Sequence, residues 1–124
     1  MLMFLRFAAI VACLSNASTA WPQSLDAAKD AEFLKAAAAR LTCLGEWESR
    51  LASSTDPIEI VAEAVMQQCQ KEIIAADEAA KASMSHLGPD DFKELRVILK
   101  KAVMTRLVIW RVAAQKAKAR EGKQ

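Results

Sequence analysis

The chain has 124 residues and a formal net charge of +2, and it carries only three glycines, three prolines and no tyrosine. That length excludes two ordinary hydrophobic cores. With Cys13 set aside in the N-terminal segment, two cysteines and one histidine cannot build a four-ligand zinc site of the usual kind, and the lack of Cys-x-x-Cys excludes a thioredoxin-type redox motif.

Residues 1–20, MLMFLRFAAIVACLSNASTA, read as an export signal. Arg6 is their only charge, Phe7–Leu14 is an apolar stretch, and Ser18 and Ala20 are small side chains placed for a signal peptidase. Cleavage after Ala20 makes Trp21 the first mature residue. The apolar stretch is too short to span a bilayer comfortably. Ile10-Val11-Ala12-Cys13 offers a second reading, a lipobox in which Cys13 is lipidated. Either route removes Cys13 from the folded domain. The remaining pair, Cys43 and Cys69, is an even count in an exported chain and favours a disulfide. The compartment expected is a bacterial periplasm.

Residues 21–124 read as one small all-α domain with helices at about 24–53, 57–86 and 89–120. Ser24 can cap the first helix, and Phe33, Ala37, Leu44, Trp47 and Leu51 recur on one face of it. Ser53-Ser54-Thr55-Asp56-Pro57 punctuates the chain, with Asp56 as the expected N-cap and Pro57 at the first helical position. The second helix buries a stripe that includes Ala62, Val65, Cys69, Ile73, Ala76 and Ala80. Cys43 lies ten residues before the turn and Cys69 twelve after it. At 1.5 Å per residue they stand within one helical turn of level in an antiparallel pair, so the spacing predicts a Cys43–Cys69 staple.

Leu87-Gly88-Pro89-Asp90-Asp91 ends the second helix and starts the third, with Gly88 expected as a left-handed C-terminal cap. The third helix has two apolar stripes. Phe92, Leu95, Leu99, Val103, Ile109 and Trp110, with Ala102 and Ala113, suit packing on the hairpin. Val97, Met104, Val108 and Val112 form a spare stripe, a possible interaction face. The whole predicts a disulfide-stapled antiparallel helix hairpin with a long basic third helix, a small three-helix bundle preceded by a signal-peptide helix.

Charge divides along the chain. Residues 21–88 carry six Lys/Arg against eleven Asp/Glu, and residues 89–124 carry ten against four. Lys116, Lys118, Arg120 and Lys123 form a basic tail suited to an anionic surface. Arg106 and Arg111 interrupt Val97–Ala114, so the helix is no membrane span.

No serine, cysteine or carboxylate constellation calls for catalysis; Asp77-Glu78 reads as a solvated face and Asp90-Asp91 as a helix start. His86 reads as a surface residue. The expectation is an exported binding or chaperone-like protein that is not an enzyme. It takes no cofactor, metal, nucleic acid or small-molecule substrate, and its partner is a protein or a second copy. The alternatives are a peripheral membrane-surface protein held by the basic helix, or a structural homo-oligomer.

Overall fold

The computed structural model describes residues 27–123. The expectations for the export signal, Cys13, Trp21 and the Ser24 cap lie outside the described residues. Those described are helical throughout apart from short turns: α1 (Ala27–Leu51), α2 (Ile58–Gln68), α3 (Gln70–Ser83) and α4 (Pro89–Glu121).

The core is small and follows the sequence periods. Leu44 from α1, Val61, Ala62 and Val65 from α2, Ile73 from α3 and Val103 and Leu107 from α4 surround Cys69. Cys69 is joined to Cys43 with a Cα–Cα distance of 5.8 Å. Asp30 near the start of α1 accepts a hydrogen bond from Ser83 Oγ at the end of α3. With the disulfide, this contact sets α1 and α3 antiparallel.

The second predicted helix, 57–86, is two helices. Cys69 leaves helical geometry at φ −102°, ψ 15°, yet the hydrogen bonds continue across it: Cys69 N–H to Val65 O and Ile73 N–H to Cys69 O. The result is a bend, not a break. There is no proline or glycine here to cause it. The two halves face different neighbours, α3 packing chiefly on α1 and α2 chiefly on α4, and the bend falls on the cross-linked residue. The helix also ends at Ser83, short of His86.

Two caps differ from expectation. Asp56 is not the N-cap of α2; Pro57 occupies that position with no side-chain cap. The Asp56 carboxylate instead accepts from Ser54 Oγ at 3.2 Å, and the Asp56 N–H donates to the same hydroxyl. The local Ser-x-Asp turn satisfies these groups first. Gly88 is not a left-handed cap of the preceding helix. It is extended, φ −103°, ψ 177°, and opens α4 with Pro89 behind it. Asp91 reaches back to accept from the Gly88 N–H at 2.7 Å, the carboxylate half of a capping box.

α4 runs antiparallel to α3, held by Arg96–Asp77 at 2.8 Å and by Lys81 Nζ 5.0 Å above the Phe92 ring. It therefore runs in the same direction as α1. Its core-facing line is Phe92, Arg96, Leu99, Val103 and Leu107, of which Phe92, Val103 and Leu107 are buried. The first predicted stripe is thus corrected: Leu95, Ile109 and Trp110 are exposed. Spacings of seven drift about 20° per step around a straight helix. The 95–102–109 series lies to one side of the buried face from its first member, whereas steps of four, three, four and four from Phe92 to Leu107 hold it.

Candidate functional site

Among the described residues, no group of His, Cys, Asp and Glu side chains could hold a metal ion, and no helix is long and apolar enough to cross a membrane. One ion pair organises the surfaces of α1 and α4.

Glu48 sits on the buried face of α1, four residues after Leu44, with no solvent exposure. Arg106 of α4 donates from Nε to both its oxygens, at 2.9 and 2.8 Å. Nη2 also lies 2.8 Å from Oε1, although outside hydrogen-bond alignment. A buried carboxylate survives only when paired, so this contact fixes both the height and the rotation of α4 on α1. Arg111, five residues on, donates to the Asp56 carbonyl at 2.6 Å and ties α4 to the 52–57 turn. In the sequence both arginines interrupt an apolar run and Arg111 flanks the spare stripe, but their partners, more than fifty positions away, are not legible there.

Two apolar rows leave the Glu48–Arg106 clamp in the same direction. On α1, Leu41 and Leu34 stand two and four turns before Glu48 on nearly the same face. On α4, Ala102, Leu99 and Leu95 precede Arg106 by one to three turns. The rows do not close on each other: Leu34 is 66% exposed, Leu41 57% and Leu95 45%. Both rows lead up to the ion pair, which marks one end of the seam between α1 and α4. The sequence reading missed Leu34 and Leu41 because α1 already has a full core stripe. The signal was present in the heptad-like run Ala27, Ala31, Leu34, Ala38, Leu41, Gly45 beside it.

The spare stripe of α4 is divided by the fold. Val97, Val108 and Val112 are exposed, but Met104 is half-buried and packs against the core. Val97 belongs to a separate open groove with Met66 and Ile73, bordered by Arg96 and Lys100; Lys100 is itself bridged to Glu63 at 3.1 Å. Lys116, Lys118, Arg120 and Lys123 are all exposed, and no ion pair among the described residues includes them. His86 is exposed as well.

No protein-family model matches this chain, no curated protein matches its sequence, and no solved structure matches its fold.

Proposed function

We propose that the chain is a small exported binding protein that acts without catalysis, its partner docking along the seam between α1 and α4. The observation that carries this reading is the exposure of the leucines along the seam. Leu34, Leu41 and Leu95 are each 45% exposed or more, and large apolar side chains left in water on neighbouring helices suit an interaction site. A helix or extended apolar segment of the partner fits between two helices of the same direction. The Cys43–Cys69 cross-link supports export, since disulfides persist in oxidising compartments. Exposed leucines on a cross-linked, shallow-cored bundle suit a helper that holds apolar segments of other proteins.

The test is suppression of aggregation of a chemically denatured protein as it is diluted into buffer. The wild-type chain delays light scattering, and Leu41→Glu, an exposed position, abolishes the delay while leaving the melting temperature unchanged. Equal suppression by the variant rules out the seam as the docking surface. N-terminal sequencing of the chain recovered from its cell tests the export part. It reads Trp21 first, whereas a lipidated Cys13 start makes the protein an anchored one.

A further inference from the structure

The C-terminal end of α4 has one side committed and one side free. Ala114, Gln115 and Lys118 border the 52–55 turn together with Arg111. Directly across the helix, Ile109, Val112, Ala113, Lys116 and Arg120 recur at offsets of three, four, seven and eleven, so they share a face pointing away from the bundle. Ile109 is 62% exposed, Val112 43% and the neighbouring Trp110 45%. Residues 112–123 are exposed without exception and carry four basic groups against one acid, Glu121.

Favourable interaction with the helix dipole accounts for basic residues in the last turn, Lys118 and Arg120. It does not account for Lys116 a turn earlier, nor for an isoleucine and a valine held in water on the same face. Apolar side chains flanked by long basic ones on an exposed helix face are the arrangement of an interfacial helix. The apolar groups enter the headgroup boundary while lysine and arginine stems lie along it with their charges among anionic headgroups. The acidic hairpin lies on the other side of α4, so the approach is not opposed by like charge at the contact.

We propose that this outer face of α4, from Ile109 to Lys123, docks the protein on an anionic lipid surface, lying in the plane of the interface and not crossing it. The seam between α1 and α4 is a separate surface, and either proposal can fail without the other.

The test is co-flotation of the full chain with vesicles of phosphatidylcholine alone or mixed with phosphatidylglycerol. Neutral vesicles report any binding that does not depend on charge. Binding is expected only, or far more strongly, with the anionic mixture, and it falls as salt rises. Lys116→Gln/Arg120→Gln/Lys123→Gln lowers the partition coefficient by roughly thirtyfold or more. Lys29→Gln/Lys35→Gln/Lys71→Gln removes the same net charge from exposed positions elsewhere and changes it by less than about threefold. Ile109→Ser lowers it by about tenfold. Circular dichroism of each variant confirms an unchanged fold. Equal binding to neutral and anionic vesicles, or equal losses in the two triple variants, overturns the proposal. Binding to duplex DNA that outcompetes the vesicles and ignores Ile109→Ser overturns it too, by reassigning the face to nucleic acid.

Discussion

Glu48 and Arg106 are 58 residues apart in the chain, and the guanidinium Nε of one lies 2.8 Å from a carboxylate oxygen of the other. The carboxylate is fully buried and its partner is partly open to solvent. Removing one member of such a pair costs far more than replacing both. Arg106→Ala leaves Glu48 buried with no cation and is expected to cost about 3 kcal/mol or more. In a domain of this size that lowers the melting temperature by at least about 10 °C. Glu48→Leu/Arg106→Met restores most or all of it. A double variant as unstable as the single one means that the pair is not the source of the loss. Thermal melts of the three proteins decide.

The Cys43–Cys69 cross-link closes 26 residues of chain. In the chain-entropy account this stabilises by about 3.5 kcal/mol, a large share of the total for a small core. Mass spectrometry of the protein taken from its native compartment finds the chain two hydrogens light and one cross-linked peptide pair. Cys43→Ala/Cys69→Ala melts at least about 10 °C lower. Two free thiols in protein taken from its native compartment refute the pairing there.

Gly45 lies inside α1, and a Cβ placed on it meets nothing within 4 Å. Glycine in a helix interior costs about 0.5–1 kcal/mol relative to alanine, so Gly45→Ala raises the melting temperature by several degrees. The same variant read in the aggregation assay also shows whether a partner uses that open space. A loss of suppression with a gain in stability places the partner's backbone against Gly45.

Val108 is 47% exposed on the outer side of α4. Val108→Glu therefore leaves helical content and melting temperature within a few degrees of wild type, because no charge is buried. If copies of the chain associate through this stripe, the variant runs as a monomer on sedimentation where the wild type does not. A collapse of the melting temperature instead shows that Val108 is part of the core.

Much of the fold is legible from local chemistry. Pro57 and the Gly88–Asp91 segment punctuate the chain because proline and a first-turn carboxylate act within a few residues of themselves. The buried faces of α1 and of the α2–α3 pair read out from their periods, since in each the predicted stripe of recurring apolar side chains is the one that packs. The two cysteines fall level for the same reason: helical rise is constant, so counting residues from the turn measures distance.

The rotation of α4 was not legible, nor was the bend at Cys69. Helix α4 is apolar on several sides, so its period permits more than one buried face. The choice fell to Arg106, which must meet a carboxylate that the core of α1 encloses, and to Arg111, which must meet the Asp56 carbonyl. Each bond joins residues more than fifty positions apart. The sequence by itself determined helix, turn and cross-link, all set by neighbours in the chain. Only the tertiary structure decided which apolar side chains stay in water, because that depends on which long-range polar contacts must be satisfied before the helices can pack.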